Sequence, residues 1–148
     1  MTPEIFACGI DIVGPADLEA LTRNFPPYWA PFMHRWYKYL GEPDNAEDRE
    51  RMRAKSPLHF ADRLVSPVLI IQGANDVRVK QDQSDRMVEA LIAAGKPVEY
   101  LVIEGEGHRI RHWKNRLKVY RATEDFLADC LGGRSSGFDY YQLGGWLF

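Results

Sequence analysis

At 148 residues, 45% of them hydrophobic and 27% charged, the chain has the length and composition of one ordinary globular domain, which excludes a disordered or fibrous protein. A formal charge of −2, with 19 Lys and Arg against 21 Asp and Glu, leaves no basic footprint for nucleic acid and no polybasic membrane anchor. No apolar run approaches the ~20 residues of a membrane span, and the opening MTPEIFACGI lacks the charged region and apolar core of a signal peptide, so a cytoplasmic location is expected.

In chain order, FACGIDIVG (residues 6 to 14) is apolar and β-branched and ends in Gly-Pro, the pattern of a buried strand and a turn. Asp11 is out of place in it. PADLEALTR can form a short helix. In NFPPYWAPFMHRWYKYLG, Pro26 and Pro27 predict a loop, and a helix is expected near residues 30 to 40, closed by Gly41. The charge-rich EPDNAEDRERMRAK, residues 42 to 55, reads as a solvated helix capped around Asp44.

SPLHFADRL is a connector, and SPVLIIQG is a continuous apolar run of strand length, as expected of a parallel strand covered on both faces. QDQSDRMVEALIAAG places Met87, Leu91 and Ala94 on one helical stripe, with Val88 and Ile92 beside it. KPVEYLVIEGEGH is a third strand. NRLKVYRATEDFLADCLGG then carries an apolar face through Val119, Ala122, Phe126, Leu127, Cys130 and Leu131, and ends at Gly132 and Gly133. Strand, helices, strand, helix, strand, helix is the alternation of crossover units in an α/β fold, with about three parallel strands and flanking helices. So small a sheet leaves an edge to be covered. Cys8 and Cys130, far apart and without metal-finger spacing, are expected to be buried free thiols rather than a disulfide.

Functional groups in open α/β sheets gather at the carboxyl ends of the strands. Asp76, after the second strand, and His108, after the third, are both placed there, among the small residues Gly73, Ala74, Gly105 and Gly107. An acid that orients an imidazole and an imidazole that moves a nucleophile's proton are two members of a catalytic triad, and acid before base is their order when the nucleophile comes first. The plainer reading makes Asp76 a turn former and His108 a loop residue.

FACGIDIVGPADL, the long stretch from SPLHFADRL through VIEGEGH, and FLADCLGGR together resemble the C-terminal half of the catalytic domain of the prolyl oligopeptidase family of serine peptidases, which includes dipeptidyl and acylaminoacyl peptidases. The resemblance runs from about residue 3 to residue 134, leaving 135 to 148 as an aromatic tail. It implies a partial α/β-hydrolase fold in which Asp76 is similar to the triad acid and His108 to the triad base. It also implies that Arg78 contacts a substrate backbone carbonyl; a surface salt bridge is the alternative. The aromatic cluster of Tyr28, Trp29, Phe32, Trp36, Tyr37 and Tyr39 suits core packing, while the resemblance places Tyr28 and Trp29 near a substrate pocket.

Two departures stand out. Arg109 and Ile110 follow His108 where the family has Gly and an aromatic residue, so the imidazole could be shifted or the substrate crowded. The family's Gly-x-Ser-x-Gly elbow, with its strand and helix, is absent and would fall upstream of Met1. GRSSG, residues 133 to 137, fits the pattern around Ser135 but follows a helix instead of a strand, against the needs of an elbow. Ser56 and Ser66 precede prolines as turn residues, and Ser84 suits a helix cap.

His34, His59, His108 and His112 show no metal-binding spacing, and GEGH lacks the Lys-Ser or Lys-Thr of a phosphate loop. No metal or cofactor is expected. The expected function is peptide-bond hydrolysis once a nucleophile-bearing half complements the chain, which alone is expected to be inactive. The alternatives are a non-catalytic oligomeric remnant and, more weakly, an esterase of the same fold. The expected partners are a peptide substrate and either a second copy or another chain covering the sheet edge, with neither nucleic acid nor membrane.

Overall fold

The computed structural model describes residues 3 to 137. Its centre is a three-stranded parallel sheet, β1 (Gly9–Ile12), β2 (Val68–Gly73) and β3 (Val98–Ile103), in that spatial order. The register pairs Gly9 with Val68 and Val68 with Val98, so β2 is central and flanked on both sides. This is why VLIIQG is apolar almost without alternation: Leu69, Ile70 and Ile71 are all buried, on opposite faces of one strand.

Each face has its own core. Leu69, Ile71 and Ile103 pack with Val119 and Phe126 of α5 (Trp113–Leu131). On the other side, Ile70 packs with Val88 and Leu91 of α4 (Gln81–Ala93) and with Ala61. The stripe read for α4 is shifted: Val88 and Leu91 form its buried centre, whereas Ile92 points outward, 64% exposed.

Between β1 and β2 lie α1 (Leu18–Arg23), α2 (Met33–Leu40) and α3 (Ala46–Arg53). Asp17 caps α1 by accepting from the N–H groups of Glu19 and Ala20. Asn45, one residue beyond the expected Asp44, caps α3 through Glu47 and Asp48. Residues 27 to 32 and 57 to 63 form 3-10 turns, each started by a proline.

The first strand is shorter than its apolar run. Val13 takes a left-handed φ of 53°, which ends the extended backbone. The Asp11 carboxylate then folds over the turn onto the Gly14 N–H, and burial raises its pKa while that hydrogen bond lowers it less. A side chain at position 14 would collide with this carboxylate. The misfit acid in β1 is thus a turn lock.

The expectation of free thiols is wrong. Cys8 and Cys130 form a disulfide with a Cα–Cα distance of 6.3 Å. Cys130 lies one helical turn beyond the buried Phe126, on the face of α5 that packs against the sheet, and Cys8 packs against that same core. A separation of 122 residues in sequence becomes a contact in space. Residues 138 to 148 of the aromatic tail lie outside the described residues.

Candidate active site

Because β2 and β3 run parallel in register to Gly73 and Ile103, the loops that leave them emerge together at one edge of the sheet. Gly73 permits the close approach: a Cβ there would run into the carbonyl oxygens of Gly107 and Glu106. The Asn75 N–H donates to the Glu106 carbonyl at 2.8 Å and the Ala74 N–H to that of Ile103 at 3.1 Å, stitching the two loops together.

Asp76 and His108 meet across this seam. The Asp76 side chain is wholly buried and the His108 side chain 32% exposed, with Oδ2 2.8 Å from Nδ1. The other oxygen, Oδ1, accepts from the N–H groups of Arg78 at 2.8 Å and Val79 at 3.1 Å. The turn-former and the imidazole-holder are therefore one residue, each oxygen with its own task. An ionised carboxylate can only accept, so Nδ1 carries the hydrogen and Nε2 keeps the lone pair.

Two supports of this pair escape a reading of the sequence. Gln72, buried in β2, donates to the carbonyls of Gly73 and Val79, both at 3.1 Å, and accepts from the Ser84 hydroxyl at 2.9 Å. It fixes both limbs of the Asp76 loop to α4. Its signal was a lone amide ending an apolar run. Ser84 is accordingly a buried donor to Gln72, not the helix cap expected of it; the cap position belongs to Lys80.

Glu106 is the second support. Only 2% exposed, it accepts from the Arg111 and His112 N–H groups at 2.9 Å each, from Asn115 Nδ2 at 2.9 Å, and pairs with His112 Nδ1 at 2.7 Å. These bonds tie the His108 loop to the start of α5. The Arg111 N–H first, then Asn115 and His112, hold its pKa down to about 2 against the smaller opposing effect of burial. The signal was an acid two residues before the histidine, hidden because loop acids are usually solvated.

Asp76, His108 and Arg78 come together with Tyr28. His108 borders an open cavity of about 480 Å³ that Tyr28, Arg78, Arg109 and Arg111 also line. Trp29 is not on this wall. It lines an adjoining cavity of about 540 Å³ with Phe32, Arg35, Trp36 and Tyr39, and Arg78 stands between the two. The aromatic cluster is not core: Tyr28 is 55% and Tyr39 75% exposed. Trp29 stacks on Trp36 with centroids 5.0 Å apart.

The departures after His108 leave the pair intact. Ile110 turns inward and packs against the α5 face of the core, while Arg109 stays on the cavity wall. Among the described residues Arg78 has no salt-bridge partner.

The five serines all have other partners. Ser56 is buried, donating to the Met52 carbonyl and accepting from the Leu18 N–H; Ser66 donates to the Phe6 carbonyl. Ser135 and Ser136 bond to Asp125 and Glu124 on α5. Those acids lie 11 or 12 residues along the helix from Trp113, about 17 Å from the end nearest His108. Ser135 is therefore remote from His108.

The family model described as "Prolyl oligopeptidase family" matches residues 1–134. The chain belongs to the prolyl oligopeptidase family. Dipeptidyl peptidase family member 6 of Caenorhabditis elegans is 46% identical over 138 residues, 93% of this chain and 19% of that protein. Dipeptidyl aminopeptidase BIII of Pseudoxanthomonas mexicana is 46% identical over 134 residues, 90% and 19% of the respective chains. A puromycin-hydrolyzing peptidase of Mycobacterium tuberculosis superimposes with a TM-score of 0.79 at 29% identity, covering 91% of this chain and 20% of that one.

The chain thus spans about a fifth of the length of these prolyl oligopeptidase relatives. Its three parallel strands and flanking helices are a portion of an α/β-hydrolase fold. Among the described residues no helix is long and apolar enough to cross a membrane.

Proposed function

We propose that this chain supplies the acid and base of a serine peptidase whose nucleophile lies outside these 148 residues. One observation carries the reading: the His108 and Asp76 contact of 2.8 Å, with Asp76 buried and anchored by two backbone N–H groups. That arrangement holds the imidazole in a single tautomer, with Nε2 able to take a proton from a serine hydroxyl as it attacks a peptide carbonyl. The same nitrogen returns the proton to the leaving amine, and water later hydrolyses the acyl-enzyme. Asp76 stabilises the imidazolium formed in between.

Arg78 and Tyr28, beside His108, are proposed substrate contacts, with Trp29 one cavity further out. The segment that carries the nucleophile is proposed to add a parallel strand along β1, which has only β2 beside it among the described residues. Ile5, Phe6 and Ile12, all close to β1 in sequence, are exposed apolar residues suited to burial under such a segment. The Cys8 and Cys130 bond weighs toward an oxidising compartment and away from the expected cytoplasm.

A fluorophosphonate probe tests the proposal. The chain alone should not label. Mixed with a nucleophile-bearing half from a close relative, the assembly should label at the elbow serine and cleave peptides. Asp76→Asn in that assembly should lower kcat on the order of 10³ to 10⁴ fold, as loss of the acid does in triads. An assembly that forms but neither labels nor cleaves would instead favour a non-catalytic remnant.

A further inference from the structure

The charge around His108 is lopsided. Arg78, Arg109 and Arg111 line its cavity, and Arg35 joins Arg78 in the adjoining aromatic one. None of the four has a salt-bridge partner among the described residues, whereas Arg23, Arg51, Arg86 and Arg121 each sit on a carboxylate. Among the described residues the only carboxylate lining the His108 cavity is Glu106, and its oxygens are already taken by two backbone N–H groups, His112 and Asn115. Asp76, just behind, is likewise occupied. Three arginines against the two carboxylates Glu106 and Asp76 therefore leave an excess of positive charge among the described residues at the candidate active site of a chain whose formal charge is −2.

Guanidinium groups left without partners on a cavity wall favour an anionic ligand, and their planar fork matches a carboxylate. We propose that Arg109 and Arg111, with Arg78 beside them, form a carboxylate-recognition subsite next to His108. The preferred peptide then carries an acidic side chain or a free C-terminal carboxylate close to the bond attacked. This specificity rests on the peptidase reading of the site, but the subsite itself is a matter of binding. Arg109 takes part because Ile110 turns into the core and leaves the arginine on the wall. The Glu106 bonds to the Arg111 and His112 N–H groups fix the backbone that presents both side chains.

The test is an NMR titration of the ¹⁵N-labelled full chain with three small probes: acetyl-Ala-Glu-amide, acetyl-Ala-Gln-amide and acetyl-Ala-Ala with a free carboxylate. The expected result is saturable shifts at the Gly107, His108 and Arg109 amides, with a carboxylate probe binding at least about tenfold more tightly than the Gln probe. The preference should weaken as salt is raised. A response to the Glu probe alone assigns the site to acidic side chains, a response to the free acid alone assigns it to peptide C-termini, and either supports the subsite. The Arg109→Gln/Arg111→Gln double variant, at exposed positions, should keep the amide spectrum of the fold and lose the preference. Equal binding of the Gln probe, or a preference that survives the double variant, overturns the proposal. Fluorophosphonate labelling of the complemented assembly separates the two ideas: labelling without carboxylate preference removes only the subsite, and preference without labelling removes only the peptidase.

Discussion

Asp76 shows how one side chain can serve two readings at once. Its Oδ1 closes the turn onto Arg78 and Val79, as an aspartate after a strand commonly does, and its Oδ2 holds His108. Both residues were legible from their positions after apolar runs. Glu106 was not, because its importance comes from burial beside four donors that only the turn into α5 assembles. Its pKa lies near 2 in the folded chain, below the ordinary 4.5. A depressed carboxylate pKa stabilises the fold above the unfolded value, and the contribution disappears as pH falls through the folded value. Glu106→Gln should therefore lower stability at pH 7 and flatten the acid dependence between about pH 4.5 and 2, the interval between the two pKa values. Urea unfolding of both proteins across that range measures the difference. Parallel pH profiles would show that Glu106 does not titrate in this way.

Among the elements, the junction of β2 and β3 decides the site. The parallel register brings both strand ends to one edge, but the loops touch only because residue 73 has no side chain. Gly73→Ala puts a methyl group against two carbonyl oxygens, neither of them able to move without dragging its loop. The expected cost is about 1–3 kcal/mol, the usual range for overpacking. The low-field proton resonance of the His108 and Asp76 pair should shift or vanish as well. An unchanged resonance in a fully stable variant would mean that the loops yield more easily than their hydrogen bonds suggest. Helix identity and order were readable from periodicity. The face was less so, since Val88 and Leu91 are buried while Ile92 is exposed, a rotation that depends on where β2 and residues 57 to 63 meet α4.

For the whole molecule, the Cys8 and Cys130 bond joins the lead-in to β1 with the last turn of α5 and closes a loop of 122 residues. Such a crosslink restricts the unfolded chain far more than the folded one. Cys130→Ser, or reduction, should cost about 2–4 kcal/mol of stability. Thermal unfolding with and without reductant reads this directly, and identical midpoints would show that the bond contributes nothing. The disulfide also ties down one end of β1, the strand to which the proposed nucleophile-bearing segment would add.

The class of the fold, the order of its elements and the placing of Asp76 and His108 just past the strand ends were determined by local pattern: apolar runs of strand length, helical stripes, and polar residues just past them. A pattern that repeats every two or four residues reports the faces of single elements, and a resemblance along the chain reports the family. Tertiary structure alone decided the rest. The disulfide, the locking of Asp11 over Gly14, the burial of Glu106 and Gln72 and the exposure of the aromatic cluster all arise between elements distant in sequence or from turns whose backbone is set by packing. The arginines on the cavity wall belong with these. Each reads as an ordinary surface residue along the chain, and only the fold gathers them around His108 without a salt-bridge partner among the described residues.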